Sequence, residues 1–141
     1  MKKLLINTLP LANVNFALLL LRAGVALMML THGYPKLMHL LSGEPITFPA
    51  VPGLGVTLSF VLTVFAEFLC SILVLLGLGT RLSAIPLAIT MAVAAFYAHG
   101  SDPFASKEMA LLYLTIFVVL ALTGGGKYSV DHVLARSSSK R

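Results

Sequence analysis

Long apolar stretches separated by short polar or Pro- and Gly-rich segments dominate the pattern of hydrophobic and polar positions along this chain. Four of the stretches are long enough, with flanking residues, to approach the roughly 20 residues that a helix needs to cross a bilayer. They cover about residues 15–34, 56–77, 82–98 and 109–123. The pattern therefore predicts an all-α protein, a transmembrane four-helix bundle.

Turn-forming residues mark the ends of these predicted spans. Pro35 follows the first span, and the segment "GEPITFPAVPGLG" (43–55) is typical of a loop. "GLGT" (77–80) ends the second span, Ser83 is a candidate N-cap for the third, and "GGGK" (124–127) ends the fourth. We predict three regions: an N-terminal segment (1–14), a transmembrane domain (15–128) and a polar tail (129–141).

The composition agrees with a membrane protein. The chain is 58% hydrophobic and 11% charged, with a mean hydropathy of +0.96, whereas soluble domains carry about 25% charged residues. The net charge of +5 comes from basic residues at the chain ends and in short loops, which indicates anchoring in the lipid bilayer rather than binding of nucleic acid. Cys70 is the single cysteine, so the chain by itself cannot form an intramolecular disulfide.

Lysine and arginine also predict the orientation. If the N-terminus lies inside, the outer side holds only Lys36 and Lys107, and Arg22 lies within the first span. The inner side then holds seven basic residues: Lys2, Lys3, Arg81, Lys127, Arg136, Lys140 and Arg141. By the positive-inside rule we expect both termini to be cytoplasmic.

Glu67 is the only charged residue between Glu44 and Arg81, in the middle of the second span. A charge near the bilayer centre costs at least about 2.5–3.5 kcal/mol, so we expect Glu67 to face the bundle interior and find a partner. Arg22 falls at a similar depth in the first span, and we predict an intramembrane Arg22–Glu67 ion pair. The pair can be a structural clamp between two helices or part of a polar ligand site.

A polar stripe runs along the second span. Ser59, Thr63, Glu67 and Ser71 recur every four residues, so they share one helix face. We expect this face to point inward. The stripe has two possible explanations. Serine and threonine mediate close packing of membrane helices, and an inward polar face can also form a pathway for a proton or a small solute.

A second group of polar residues is expected at the outer helix ends. It contains His32, Lys36, His99 and Glu108, and with Glu67 these residues form the candidate ligand or quinone site. Such side chains can bind a quinone carbonyl, an anion or a metal ion. They are also ordinary interfacial residues with polar tips in water. No tight metal-ligand spacing appears, so we expect no metal and no haem, and quinone stays open as a cofactor.

Several segments, in this order and spacing, resemble the DoxX family of small four-helix bacterial membrane proteins. They are "LLLRAGVALMMLTHGYPKL" (19–37), "AEFLCSILVLLGLGTRLSA" (66–84), "FYAHG" (96–100), "KEMALLYL" (107–114) and "GGGKYSVD" (124–131). Gly125 departs from the Gly-Pro-Gly that usually closes the pattern. The family's motif residues correspond to Arg22, His32, Lys36, Glu67, Arg81 and His99.

The resemblance implies a bacterial inner-membrane protein linked to respiratory or redox systems. Some relatives belong to quinone-coupled sulfur-oxidising complexes, and others are partners of soluble thiol and superoxide-defence enzymes. We therefore expect a small membrane component of a redox system that is not an enzyme on its own, with soluble or membrane redox enzymes as partners. A non-catalytic scaffold and a proton or small-solute pathway, which would need a homo-oligomer, remain the alternatives.

Overall fold

The computed structural model describes residues 10–138. These residues contain five helices and no strand. Four are long and apolar enough to cross a membrane: α1 (Leu11–Ser42), α2 (Gly55–Leu76), α3 (Thr80–Ala98) and α4 (Phe104–Thr123). A short helix, α5 (Val130–Ser138), follows them. The prediction of an all-α protein with four long apolar helices is confirmed.

The helices contain the predicted spans, with two differences at their ends. Gly77 lies just outside α2, because it caps that helix in the left-handed conformation at φ 73°, which glycine adopts without steric cost. The helix α1 continues through Pro35 to Ser42, so the eight residues between the predicted first span and the 43–55 loop are helical. The limits of the predicted transmembrane domain, 15–128, stay a prediction, because they depend on where the membrane boundaries lie along these helices.

The four long helices pack in sequence order, with α2 between α1 and α3, α3 against α4, and a smaller contact between α1 and α4. Their shared core consists of Val25, Ala26, Met29, Ala66, Cys70, Val74, Ala84, Leu87, Met91, Tyr113, Phe117 and Leu120. The outside of the bundle is also apolar, with Leu20, Leu27, Ile89 and Leu122 more than half exposed. An apolar exterior of this kind fits lipid rather than water.

Close approach of α1 and α2 depends on Gly33. A Cβ atom at this position would overlap the backbone of Glu67, so only glycine lets the two helices meet there. Small residues commonly allow such contacts between membrane helices, where packing rather than hydrophobicity drives association. Because Gly33 lies level with Glu67, this contact also fixes the register of the two helices.

Two π-helical segments interrupt the regular helices. One covers Phe65–Cys70 in α2 and contains Glu67, and the other covers Ala94–Ala98 at the end of α3. In the second, the N–H of His99 donates to the carbonyl of Ala94 at 2.9 Å, a five-residue step. Such segments are rare and often lie at functional sites, because they redirect the side chains that follow.

The two ends of the bundle differ. The first, which we call the termini end, holds the start of α1, the α2–α3 turn and α5, and Lys127 N–H donates to Asn15 Oδ1 there. The second, the loop end, holds segment 43–54 and the α3–α4 connection. Arg81, Lys127 and Arg136 lie at the termini end and Lys36 and Lys107 at the loop end. The other four basic residues that were assigned to the inner side, Lys2, Lys3, Lys140 and Arg141, lie outside the described residues.

The predicted polar tail is helical from Val130 to Ser138 and is attached to the bundle. The carboxylate of Asp131 accepts hydrogen bonds from the backbone N–H of Gly79 at 2.7 Å and of Thr80 at 3.0 Å. Asp131 thus caps the N-terminus of α3, which has no side-chain cap of its own. Ser83, the predicted N-cap, instead lies within the first turns of α3 and is buried.

Candidate ligand site at the loop end

Glu67 forms its ion pair with Lys36. The ammonium of Lys36 donates to Oε1 at 2.6 Å and to Oε2 at 2.5 Å. The carboxylate is almost fully buried, whereas the lysine side chain is 30% exposed. Burying a carboxylate without a partner is costly, so an apolar environment favours a bidentate contact between the carboxylate and a cation.

The predicted Arg22–Glu67 ion pair does not form. Arg22 is buried, and its Nη2 donates to the carbonyl of Tyr128 at 2.8 Å. The register explains the difference, because Gly77 lies against the Arg22 guanidinium while Gly33 lies against Glu67. Gly33 is eleven residues beyond Arg22, about 16 Å along the helix axis. Arg22 therefore belongs to the termini end and Glu67 to the loop end.

A cavity of about 490 Å³ lies beside the Lys36–Glu67 pair. Its walls come from α1, α2, α3 and the loop that precedes α2, and they are mainly apolar. Both π-helical segments contribute to it, through Glu67 and through Ala94, Tyr97 and Ala98. Leu62 and Ile89 line the cavity and are also about half exposed on the outside of the bundle. The cavity therefore opens toward lipid between α2 and α3.

The loop 43–54 covers the loop-end cavity and is held by two hydrogen bonds. The hydroxyl of Tyr97 donates to the carbonyl of Ala50 at 3.0 Å. The N–H of Val51 donates to Oγ of Ser59 at 3.0 Å. Phe48 and Pro49 of this loop line the cavity. These two hydrogen bonds, together with the edge-to-face contact of Phe48 with Phe60 at 5.2 Å between ring centroids, hold the loop over the cavity.

His99, directly after the end of α3, also lines the cavity. Its Nδ1 is 2.8 Å from Oδ2 of Asp102, and both side chains are 46% exposed. A carboxylate at one ring nitrogen fixes the orientation of the imidazole and leaves the other nitrogen available. The cavity thus combines apolar walls with an amine, a carboxylate and an oriented imidazole, a set that can bind a small polar ring.

The structure brings together three of the five residues in the predicted ligand site. Lys36, Glu67 and His99 line the cavity, and His32 and Glu108 do not. His32 is exposed and faces α4, where its ring meets Tyr113 edge to face at 6.0 Å between centroids. Glu108 is exposed near the start of α4. In residues 10–138, no group of three or more His, Cys, Asp or Glu residues is placed to hold a metal ion.

The polar stripe of α2 is buried along its whole length. Ser59 and Thr63 line the cavity, whereas Ser71 lies beyond it toward the termini end, with no hydrogen-bond partner for its hydroxyl among the described residues. Ser59 donates to the carbonyl of Gly55 at 2.7 Å and Thr63 to that of Ser59 at 2.8 Å. These hydroxyls mainly satisfy backbone groups of their own helix and loop.

A separate polar cluster forms around Asp131 at the termini end. Its N–H donates to the carbonyl of Gly77 at 2.9 Å, so Asp131 connects α5 to both sides of the α2–α3 turn. Burial alone would raise the pKa of this carboxyl, but hydrogen bonds from the Thr80 and Gly79 backbone and the nearby charge of Arg22 hold the pKa below its usual value. The ionised form is thus the one that the fold stabilises.

Sequence reasoning missed the partners of three charged residues. For Glu67, the signal was the i, i+4 spacing of His32 and Lys36. If the helix continues past Pro35, this spacing keeps Lys36 on α1, where it can reach Glu67. For Asp131, the signal was that the "GLGT" turn offers no acidic or amide side chain to cap α3. Nothing in the sequence singled out the Tyr128 carbonyl as the acceptor for Arg22.

Comparison with known proteins shows the family of this chain. The model of the DoxX family matches residues 17–100, which include Arg22, Lys36, Glu67 and His99. A protein of Haemophilus influenzae described as uncharacterized is 32% identical over 124 residues, which cover 83% of this chain and 90% of the relative. No solved structure matches the chain significantly. The family match covers more than half of the residues, and the chain belongs to the DoxX family.

Proposed function

We propose that this protein is a small inner-membrane component of a redox system and that its loop-end cavity binds a lipid-soluble quinone. The observation that carries the proposal is the cavity itself, about 490 Å³ with apolar walls and the Lys36–Glu67 pair beside it. Ligand sites typically have volumes of about 300–1,000 Å³, apolar linings and a few polar groups that fix orientation. A quinone ring with its isoprenoid tail matches this combination.

The position of the cavity supports a ligand that arrives through the membrane. Leu62 and Ile89 connect its interior to the lipid-facing surface, so the tail of a quinone can remain in the bilayer while the ring enters. The ammonium of Lys36 and the free ring nitrogen of His99 can donate hydrogen bonds to the two carbonyls. Glu67 then balances the charge of Lys36 inside the low-dielectric site.

In this proposal the chain itself supplies the groups that bind the quinone and can carry protons, which are Lys36, Glu67 and His99. Reduction of a quinone to a quinol takes up two electrons and two protons. We propose that the electrons come from a partner oxidoreductase, either soluble or in the membrane, as the redox links of the family suggest. The positive-inside pattern supports cytoplasmic termini, which would place the loop-end cavity toward the outer face of the inner membrane.

The rival function is a scaffold in which Lys36 and Glu67 only join α1 to α2. A proton or solute pathway is less favoured, because the hydroxyls of Ser59 and Thr63 already donate to backbone carbonyls. Scaffold and quinone site differ in one respect: only the second requires residues on α3 that do not touch the ion pair.

The test measures binding of decylubiquinone and menadione to the purified full chain in lipid nanodiscs, by thermal shift and by ligand retention. His99→Gln removes one proposed hydrogen bond to the quinone and should weaken binding about tenfold, or about 1.4 kcal/mol. Glu67→Gln should also weaken binding, because Lys36 loses the carboxylate that balances its charge. His32→Gln and Glu108→Gln are matched controls, because they change the same residue types outside the cavity. Equal binding by all four variants would rule out the quinone site, and no binding by the unaltered chain would favour the scaffold.

A further inference from the structure

The termini end contains a second cavity, of about 380 Å³, at the opposite end of the bundle from the proposed quinone site. It lies between the α2–α3 turn, the glycine run 124–126 and α5. Two of its lining residues are basic or can become so, Arg81 and His132, and one is acidic, Asp131. Leu82, 75% exposed, joins the cavity to the lipid-facing surface.

Arg81 has no ion-pair or hydrogen-bond partner in the described part of the chain. Its side chain lies along Gly124, where an added Cβ atom would be 3.2 Å from Nε. The exposed side chain of Arg81 therefore passes beside the glycine run. Its fork of N–H donors matches the oxygens of a phosphate or a carboxylate.

The glycine run adds backbone donors next to this guanidinium. The N–H groups of Gly125 and Gly126 have no hydrogen-bond acceptor within residues 10–138, and Gly125 is buried. Buried N–H groups are nearly always paired in native proteins. The buried amide of Gly125, with the partly exposed amide of Gly126 and an unpaired guanidinium beside it, therefore indicates an acceptor with several oxygens.

The buried charge beneath the cavity points the same way. Arg22 is 2% exposed, and its Nε and Nη1 atoms have no partner among the described residues. An added Cβ atom at Gly125 would lie 3.1 Å from Nη1, so the backbone of Gly125 separates this charge from the cavity. The nearby carboxylate, Asp131, already accepts hydrogen bonds from Gly79 and Thr80. Arg22 and Arg81 therefore place two positive charges at this end of the bundle against the single carboxylate of Asp131, which leaves net positive charge.

We infer that the termini-end cavity is a binding site for a phosphate-class anion, with Arg81, His132 and the amides of Gly125 and Gly126 as its donors. The phosphate can belong to an anionic phospholipid headgroup, whose acyl chains would follow Leu82 into the bilayer, or to free inorganic phosphate. The inference does not depend on the quinone proposal, because the two cavities share no lining residue.

The test uses the purified full chain in a neutral maltoside detergent. Native mass spectrometry measures retained phosphatidylglycerol and phosphatidylcholine, and thermal shift measures stabilisation by each lipid and by inorganic phosphate at constant ionic strength. Arg81→Gln should retain phosphatidylglycerol about fivefold less than the unaltered chain, the effect of about 1 kcal/mol for one basic residue at a membrane surface. Lys107→Gln, which removes the same charge at the loop end, should behave as the unaltered chain.

The two sources give different results. Stabilisation by phosphatidylglycerol that inorganic phosphate does not compete away identifies a lipid site, and stabilisation by phosphate alone identifies a soluble anion. His132→Gln provides a second variant at the same site. If Arg81→Gln lowers the thermal midpoint without any anion, the retention of phosphatidylglycerol by His132→Gln tests the site instead. Retention of phosphatidylglycerol by both variants at the level of Lys107→Gln, with no phosphate effect, would overturn the inference.

Discussion

Lys36 and Glu67 form a bidentate ion pair between α1 and α2, with Nζ at 2.6 Å from Oε1 and 2.5 Å from Oε2. The pair lies where α1 continues beyond Pro35 and where α2 is π-helical. Two irregular features of the helices thus coincide with the one acid of the second span. The pair forms part of the wall of the loop-end cavity, so its stability and its availability to a ligand are linked.

A double-mutant cycle should assign the partner of Glu67. Lys36→Met leaves a buried carboxylate without a cation and should lower the free energy of unfolding by about 3 kcal/mol. Adding Glu67→Gln should recover much of this loss, because the two residues are coupled. Unfolding in mixed micelles of mild detergent and dodecyl sulfate measures both effects.

The same cycle on Arg22 provides the control. Arg22→Gln should destabilise the protein on its own, but its effect and that of Glu67→Gln should add within about 0.5 kcal/mol, because the groups are distant. Strong coupling between Arg22 and Glu67, with none between Lys36 and Glu67, would contradict the register of α1 and α2.

Two glycines of α1 should respond in opposite ways to the same substitution. Gly33→Ala places a Cβ atom against the backbone of Glu67 and should cost about 1–3 kcal/mol, as overpacking does. Gly24→Ala meets nothing within 4 Å and should be neutral or stabilising by up to about 1 kcal/mol, because alanine favours helix. Thermal midpoints of the two variants in one detergent test this. Equal midpoints would mean that α1 and α2 are not in close contact at Gly33.

Asp131 should make stability depend on pH in the acid range. Its pKa is held below the usual value, so its contribution is present above about pH 4, the pKa of an unfolded aspartate, and is lost as the pH falls through the lower folded value. Asp131→Asn should be less stable at neutral pH by about 1 kcal/mol, typical of a lost cap. Its stability should also fall less steeply with acid than that of the unaltered chain.

Asp102→Asn is the matched control for this experiment, because Asp102 is a half-exposed aspartate at the loop end. Thermal unfolding between about pH 2 and pH 6 compares the three proteins in the range around the aspartate pKa. Identical acid profiles for Asp131→Asn and the unaltered chain would show that Asp131 does not connect α5 to α3 in its ionised form.

Tyr97 should control the closure of the loop over the cavity. Tyr97→Phe removes the hydrogen bond to the Ala50 carbonyl, and a net loss of about 0.5–1.5 kcal/mol is expected for one such bond. Hydrogen exchange of residues 46–54 should become faster, and exchange in α4 should not change. Tyr34→Phe, an exposed tyrosine on α1 with no hydrogen bond from its hydroxyl in the described structure, serves as the control. Faster exchange in both variants would count against a specific role of Tyr97.

The sequence by itself determined the class of fold. In a bilayer each backbone polar group must be satisfied within its own segment, so four apolar stretches of sufficient length predict four helices with little dependence on their neighbours. The same locality explains why Glu67 could be recognised as buried and paired, and why Lys36, Glu67 and His99 could be selected as site residues. Burial cost and hydropathy are properties of a residue in its own span.

Tertiary structure alone decided which groups meet. The choice of Lys36 over Arg22 depends on the register of α1 and α2, which the backbone contact at Gly33 sets to within a residue. The capping of α3 by Asp131 depends on where the chain returns after four crossings of the bundle. Both are relations between distant segments, and a shift of one helical turn would change the partners while leaving every apolar stretch as it is.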